Sequence, residues 1–270
     1  MPRVSRRAAV VVAVLLTFVA SACGSSSKPA ASTTSTTAAT SASALKGSLN
    51  VFAASSLTEA FDAVKSNLAT TNPDLDLMMN YGGSQMLVTQ ITQGQPADVF
   101  ASADTKNMQK LVDKNMVETP QVFARNLLEI AVAPGNPRNI TSLADTEKPS
   151  VTLVLADPSV PAGKYARQAY ARAGLPAPKP ASNELDVKSV LEKLTSGEAD
   201  AVVVYRTDVK AAGDKVTGVA IPSDQNVVAT YPIAALKDSK NLVAAEAYVT
   251  EIVSGSGQQA LKDAGFLPAQ

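Results

Sequence analysis

Short apolar runs alternate with amphipathic patterns from Leu49 to the end of the chain, and this alternation constrains the fold more than any other feature. Residues 49–53 predict a strand, after which Leu57, Phe61 and Val64 recur at helical spacing on one face. Further strands are predicted at residues 75–79, 98–101, 127–133, 151–156, 201–205 and 227–235, and further helices at 86–91, 105–113, 187–195, 242–253 and 258–263, with another ending near 172. Such alternation indicates βαβ units, a largely parallel sheet and an α/β fold class. The folded part of about 225 residues is long for one such domain, which is compatible with two lobes.

The composition excludes several classes of enzyme. The 270 residues include no histidine and a single cysteine. Without histidine there is no imidazole base, no Ser-His-Asp triad and no His-ligated metal. One cysteine cannot form a disulfide within the chain or a multi-thiolate zinc site. The sequence therefore predicts neither a conventional hydrolase nor a metalloenzyme. We expect the protein to use no cofactor and to bind no metal through its side chains.

The N-terminal residues are typical of an export signal. Three arginines precede the uncharged run 8–20, and the residues that follow it are small. Ala-Ser-Ala-Cys at 20–23 resembles the cleavage box of bacterial lipoproteins. We therefore expect residues 1–22 to be a lipoprotein signal peptide, Cys23 to be lipidated, and residues 23–45, rich in Ser, Thr and Ala, to form a flexible tether. The protein would then be exported and held to the outer face of the cytoplasmic membrane by lipid alone.

The charge pattern argues against nucleic acid as a partner. The whole chain is neutral, and the predicted signal contains three arginines and no acidic residue, so the remainder is acidic by three charges. No basic run remains in it. An anionic ligand would have to be attracted by local dipoles rather than by net charge.

The first strand-to-helix junction has two possible explanations. Ser56 and Glu59 fit a capping box, in which a serine at the N-cap and a glutamate three residues later satisfy helix amides. In open α/β sheets, however, ligands bind beyond the carboxyl ends of strands, at helix N-termini. Ser56 is therefore a candidate cap and a candidate ligand.

Four other junctions supply neutral hydrogen-bond donors. Ser84 follows Gly82-Gly83, Pro161 predicts a helix start that leaves the amides of Ala162 and Gly163 without helical partners, Asp186-Val187 opens another helix, and Tyr205 ends a strand. Together with Ser56, such donors suit a small, fully ionised oxyanion. Lys164 does not complete a P-loop, because Tyr165 follows it, and we expect it to be solvated.

With these junctions identified, the chain resembles the periplasmic molybdate-binding proteins (ModA type) of ABC transporters. The resemblance rests on five segments that follow one another in the family's order, namely 51–58, 96–104, 157–166, 203–208 and 264–266. It covers residues 47 to 268.

The resemblance implies a fold and a site. The fold is a type II periplasmic-binding-protein architecture, in which two crossing strands join two α/β lobes and the ligand lies between them. Lobe one would be residues 47–129 plus 226–270, and lobe two 130–225. The matching ligand positions are Ser56, Ser84, Ala162, Val187 and Tyr205. Many relatives have further serines where this chain has Gly82, Gly83 and Gln85, which leaves Ser84 as the hydroxyl of its turn.

The resemblance also implies a function. The protein would be a monomer that captures molybdate or tungstate and delivers it to the permease and ATPase of an ABC importer, without catalysis. Phosphate would be disfavoured, because it is partly protonated and prefers a carboxylate acceptor, and none of the five positions is one.

Three different functions stay open at this point. Sulfate, or another oxyanion, would differ from molybdate only in the cavity size that it needs. An enzyme with Ser56 or Ser84 as nucleophile would lack a base that we recognise. A receptor for an organic acid would need an arginine, for which Arg206 is the candidate, although it should point away from the neighbouring Tyr205.

Overall fold

The computed structural model describes residues 45–270, so the predicted signal peptide, Cys23 and nearly all of the tether lie outside the described residues. The ten strands of this part are β1 Gly47–Ala54, β2 Leu75–Gly82, β3 Val99–Ala101, β4 Gln121–Asn126, β5 Leu128–Val132, β6 Leu153–Ala156, β7 Ser182–Glu184, β8 Ala201–Tyr205, β9 Thr217–Ala220 and β10 Ala229–Ala235. Its eight α-helices are α1 Thr58–Thr71, α2 Ser84–Thr92, α3 Thr105–Asp113, α4 Pro161–Arg172, α5 Val187–Thr195, α6 Arg206–Ala212, α7 Leu242–Ser254 and α8 Gly257–Ala264. Within residues 45–270, no helix is both long and apolar enough to cross a membrane.

The strands form two five-stranded sheets. The first has the order β2-β1-β3-β10-β4 and the second β7-β6-β8-β5-β9. We call the first sheet with α1–α3, α7 and α8 the first lobe, and the second sheet with α4–α6 the second lobe. The chain passes from the first to the second at Leu127 and returns through residues 221–228.

The two passages between the lobes are tied to each other. The side-chain amide of Asn226 donates to the carbonyl of Leu128 at 2.8 Å, and its oxygen accepts from the amide of Leu128 at 3.1 Å. The boundaries between the lobes, predicted at 129/130 and 225/226, could be located only by comparing two positions of the lobes. They stay predictions.

Both sheets are mixed rather than largely parallel, which corrects the prediction. In the first sheet β1 pairs in parallel with β2 and β3, whereas β10 runs antiparallel to β3 and β4. In the second, β6 pairs in parallel with β7 and β8, whereas β5 runs antiparallel to β8 and β9. The antiparallel pairs involve β4, β5, β9 and β10, the strands on either side of the two passages between lobes. Parallel neighbours need a crossover connection, usually a helix, and none lies at these passages.

The predicted end of the helix over residues 187–195 is confirmed. Helix α5 ends at Thr195, and Gly197 follows with φ of 81°, the left-handed conformation that glycine adopts without a Cβ penalty.

Candidate functional site

A small cavity lies between the lobes, where strand ends of both sheets meet helix N-termini. The empty space there, including the open solvent at its mouth, is about 190 Å³. Its twelve lining residues are Ala54, Ser55, Ser56, Gly82, Gly83, Ser84, Ala103, Val160, Pro161, Ala162, Val187 and Tyr205. None of them is charged. The cavity thus offers neutral groups and helix termini to a small ligand.

All five residues predicted from the sequence line this one cavity. Ser56 and Ser84 come from the first lobe, and Ala162, Val187 and Tyr205 come from the second. The structure therefore brings together positions that are up to 149 residues apart in the chain. Their role as ligands stays a prediction.

The predicted capping box at Ser56 is wrong. Residues Ser55–Leu57 form a 3-10 turn ahead of α1, and α1 has no side-chain cap. The Ser56 hydroxyl instead lies 2.9 Å from the hydroxyl of Tyr231. The carboxylate of Glu59 pairs with Lys188 of the second lobe at 2.5 Å. Both side chains of the predicted capping box thus bind distant residues instead of helix amides. The Ser56 hydroxyl lies at the cavity wall.

Ser84 is the first residue of α2 and is almost fully buried. The backbone amide of Ala103 donates to its Oγ at 3.0 Å. An amide can only donate, so the Ser84 hydroxyl must direct its own hydrogen elsewhere. Ser84 lines the cavity, so this hydrogen can be directed to a ligand there.

Helix α4 presents backbone amides to the cavity. Pro161 occupies its first position, as predicted, and no side chain caps the helix. The next two amides, of Ala162 and Gly163, belong to the first turn, where a helix supplies no carbonyl partner. They carry the positive end of the helix dipole to the cavity wall.

Helix α5 presents one more amide. The carboxylate of Asp186 caps this helix and accepts from the amides of Lys188 at 2.9 Å and Ser189 at 3.1 Å. Asp186 is therefore the N-cap of the helix that Asp186-Val187 is predicted to open. The amide of Val187, at the first helical position, is left over and lies at the cavity.

Tyr205 closes the cavity from the second lobe. Its side chain is 1% exposed, and its hydroxyl has no hydrogen-bond partner among residues 45–270. Burial raises the pKa of this phenol well above 10, so it keeps its proton. A buried hydroxyl without a partner is costly and uncommon in native proteins. The Tyr231 ring packs against that of Tyr205 at a centroid distance of 5.9 Å, but the two hydroxyls do not meet hydrogen-bond geometry. Tyr205 therefore offers a donor that a ligand in the cavity can satisfy.

Ion pairs link the lobes at the rim. Lys164 of α4 pairs with the buried carboxylate of Asp104 in the first lobe, and Lys188 of α5 pairs with Glu59. The expectation that Lys164 is solvated is therefore wrong, because Asp104 faces it across the cleft. Both cations are matched by carboxylates, so neither gives the cavity a net positive charge.

A polar contact at the rim shows how closely the lobes approach. The Gln85 side-chain amide donates to the carbonyl of Leu185 in the second lobe at 2.9 Å. A Cβ placed on Gly83 would fall on that carbonyl oxygen, well inside the 3.0 Å that real Cβ atoms respect. The structure is thus a closed form, in which the absence of a side chain at Gly83 permits the contact.

The family model of bacterial extracellular solute-binding proteins matches residues 49–267. The chain belongs to this family. The molybdate-binding protein ModA of Mycobacterium tuberculosis H37Rv is 38% identical to this solute-binding protein over 220 residues, which cover 81% of this chain and 84% of that relative. The resemblance seen in the sequence is therefore confirmed.

Solved structures confirm the two-lobed α/β fold. The substrate-binding domain of a molybdenum ABC transporter from Clostridium difficile is 30% identical, with a TM-score of 0.63 over 83% of this chain and 99% of that chain. The sulfate-binding protein SubI from Mycobacterium tuberculosis H37Rv is 19% identical, with a TM-score of 0.74 over 83% of this chain and 87% of that one. The likeness to SubI shows the fold alone.

Sequence reasoning missed the residues that act on the site from other parts of the chain. Tyr231 lies within the predicted run 227–235, but nothing in that run connects it with Ser56, 175 residues earlier. The ion pairs that Lys164 and Lys188 form across the cleft could not be predicted either, because the sequence does not distinguish a solvated lysine from one that pairs with a distant carboxylate.

We expect Asp208 to make the stability of this solute-binding protein depend on pH. Burial raises the pKa of its carboxyl group to about 6, against the attraction of Lys188. Because the folded form holds this proton more tightly than the unfolded chain, with its pKa of 3.8, the stability that the proton adds is full below 3.8 and is lost as pH rises through about 6. We expect Asp208→Asn to abolish this dependence, which is worth about 3 kcal/mol.

The measurement is the free energy of unfolding in urea at pH 4, 5, 6 and 7. Asparagine can still accept the 3.0 Å hydrogen bond that the backbone amide of Tyr205 donates to Asp208, so the start of α6 is retained. Equal pH dependence in wild type and variant would show that Asp208 titrates normally.

Proposed function

We propose that this solute-binding protein captures molybdate or tungstate in the cavity between its lobes and passes it to an ABC importer. The observation that carries the proposal is the buried hydroxyl of Tyr205, which lacks a hydrogen-bond partner among residues 45–270 and lines a cavity whose serine hydroxyls and helix-start amides can also donate. A fully ionised tetrahedral oxyanion accepts from every direction, and would satisfy donors of both lobes at once.

The donor set favours anions that carry no proton. Ser56, Ser84 and Tyr205 supply hydroxyls, and the amides of Ala162 and Val187 supply the rest, while no carboxylate of the described residues lines the cavity. Hydrogen phosphate has a proton to donate and would find no good acceptor. This argument supports molybdate and tungstate over phosphate.

Sulfate is the second candidate, because it too is an unprotonated tetrahedral dianion. The fold does not separate the two, since SubI superposes on this chain well. The identity of 38% with a molybdate-binding relative supports molybdate, the larger of the two anions.

An organic-acid receptor and a serine-nucleophile enzyme have less support. Arg206 donates to the carbonyl of Gly265 at 2.7 Å, and no arginine of the described residues lines the cavity, so an organic carboxylate would have no bidentate partner there. The carboxylate of Asp104, which lies near Ser84, is occupied by Asn107 and Lys164. The proposal is therefore a binding protein that performs no chemistry.

The location and the partners of the protein belong to the same proposal. The protein acts outside the cytoplasmic membrane as a monomer, it is held there through Cys23, and its partners are the permease and ATPase of the importer. No cofactor takes part, and molybdenum is bound as its oxyanion rather than by side-chain ligands.

Tyr205→Phe tests the proposal directly. The variant removes one donor to a charged acceptor, so we expect molybdate to bind about 10- to 100-fold more weakly. The unliganded protein should be no less stable, because the hydroxyl that is lost has no partner among the described residues. Calorimetry would measure the affinity, and urea unfolding the stability.

Tyr248→Phe is the matched control. Tyr248 is equally buried and its hydroxyl is also without a partner in the described part of the chain, but it lies in α7 and does not line the cavity. A panel of molybdate, tungstate, sulfate, phosphate and small carboxylates completes the experiment, since a ligand at a thousandfold excess over its Kd stabilises by roughly 4 kcal/mol. Tight binding of sulfate with no heat from molybdate would overturn the proposal.

A further inference from the structure

We infer that Tyr231, which does not line the cavity, is a positioning residue that fixes the direction of the Ser56 hydroxyl and so restricts the site to unprotonated oxyanions. The inference rests on the proposed function. It adds a residue that sets specificity from outside the cavity, through the hydrogen bond between its buried hydroxyl and that of Ser56. The side chains of Asn126 and Tyr205 also lie beside the Tyr231 hydroxyl.

The Tyr231 hydroxyl is held in place by its ring. The residue lies on β10 and is fully buried, with its oxygen 2.9 Å from Ser56 Oγ. Three aromatic rings pack against it edge-on, those of Tyr205, Phe123 and Phe266, at centroid distances of 5.9, 6.2 and 5.3 Å. Such packing leaves the phenol no room to swing away from Ser56.

The direction of the proton follows from acidity and from the ligand. A phenol is a stronger acid than an alkyl hydroxyl, so Tyr231 is the better donor of the pair. Burial raises the pKa of Tyr231, which therefore stays protonated. When Tyr231 donates to Ser56 Oγ, the single hydrogen of Ser56 is free to point into the cavity. The opposite direction would turn a serine lone pair towards a bound anion, which is repulsive.

Ser84 shows the same arrangement with a different donor. Its Oγ accepts from the amide of Ala103, a group that cannot accept in return. Both serines of the first lobe thus receive a hydrogen bond from a fixed buried donor and keep their own hydrogen for the cavity. Tyr231 does for Ser56 what a backbone amide does for Ser84.

This arrangement determines which oxyanions the site accepts. A protonated anion such as hydrogen phosphate must donate its proton to an acceptor, and serines oriented as donors are poor acceptors. Without the Tyr231 hydroxyl, Ser56 can rotate and accept. Tyr231 should therefore strengthen molybdate binding and weaken phosphate binding through the same bond.

Tyr231→Phe removes the hydroxyl and leaves the ring packing intact. We expect molybdate to bind about tenfold more weakly and the ratio of molybdate to phosphate affinity to fall by more than that factor. Tyr248→Phe is again the control, because it deletes the same atom from a buried ring away from the cavity, and should bind as wild type does. Calorimetry with both anions on the wild type and the two variants measures all six affinities, and circular dichroism checks the fold.

A double-mutant cycle separates positioning from simple packing. If Tyr231 acts through Ser56, Ser56→Ala and the double variant with Tyr231→Phe should bind molybdate equally, because the second change has nothing left to orient. Incorporation of 3,5-difluorotyrosine at position 231 retains the hydroxyl, makes it a stronger donor and should tighten binding, which tests the bond if Tyr231→Phe fails to fold.

Each outcome decides the matter. Wild-type affinity in Tyr231→Phe, losses that add in the double variant, or weaker binding with difluorotyrosine would each overturn the inference while molybdate binding by the wild type stands. Absence of binding to any oxyanion in the wild type would instead overturn the proposed function, and the role of Tyr231 with it.

Discussion

Gly83→Ala is expected to weaken molybdate binding by about a hundredfold and to leave the unliganded protein as stable as the wild type. The new Cβ would collide with the carbonyl oxygen of Leu185 in the opposite lobe, and a main-chain atom cannot turn aside. The lobes would then stop short of closure, and donors from the two sides could no longer contact one anion together. Gly83 has φ of −62° and ψ of 133°, which alanine adopts freely, so the backbone of the variant carries no strain.

Gly82→Ala is the matched control, one residue earlier in the chain. There the added Cβ would meet only the Leu87 side chain, at an ordinary 3.5 Å. Calorimetry gives the affinities of both variants, and small-angle scattering with and without molybdate reports closure. Equal affinities for the two variants, or full closure of Gly83→Ala, would show that the lobes do not depend on this contact.

Contacts at the rim hold the lobes together, and the proposed anion site lies between them at the centre. Ion pairs of Lys164 with Asp104 and of Lys188 with Glu59 join the lobes without charging the cavity. The donors inside are neutral and unmatched, and one of them, Tyr205, has no partner among residues 45–270. Closure without an anion therefore buries unsatisfied donors, whereas closure around an anion satisfies them. This difference couples binding to the movement of the lobes.

The sequence was sufficient to locate the parts of the site whose signals are local. A serine after a strand, a proline at a helix start and an aspartate before a helix are each recognised within a few residues, and each marks a helix N-terminus. Because parallel strands place their carboxyl ends at one edge, the candidates within each lobe could be expected to meet. That the two lobes face each other across one site was implied by the family resemblance alone. The cavity is lined by all five.

Sequence reasoning missed strands β4, β7 and β9 and helix α6, and β9 and α6 illustrate the reasons. Strand β9 pairs with β5 at the edge of its sheet, and its residues alternate between half-buried and exposed, so its apolar pattern is weak. Helix α6 has seven residues, too few for a periodic pattern to emerge. The capping box failed at Glu59 because a lysine 129 residues later competes for its carboxylate. Tertiary contact overrides local preference at each of these places.

The largest loss of stability is expected for Gly163→Ala. Glycine at this position lets the first turn of α4 rest directly on the end of β6, and an added Cβ would fall on the carbonyl oxygens of Ala156 and Asp157, far inside the 3.0 Å limit. Both obstacles are main chain, so the helix itself must move. We expect the free energy of unfolding to fall by about 3 kcal/mol, measured in urea with an unchanged m-value.

The same displacement should weaken binding, since the amide of Ala162 moves with the helix. A comparison at another position of α4 isolates the cause. Gln168 is exposed, so the Gln168→Ala variant should be more stable than Gln168→Gly by about 1 kcal/mol, the usual helix preference. At position 163 the order should be reversed, because steric conflict with β6 exceeds that preference. If alanine is favoured at both positions, the contact between α4 and β6 does not require glycine. The anion-binding amides would then be positioned by Pro161 and the helix alone.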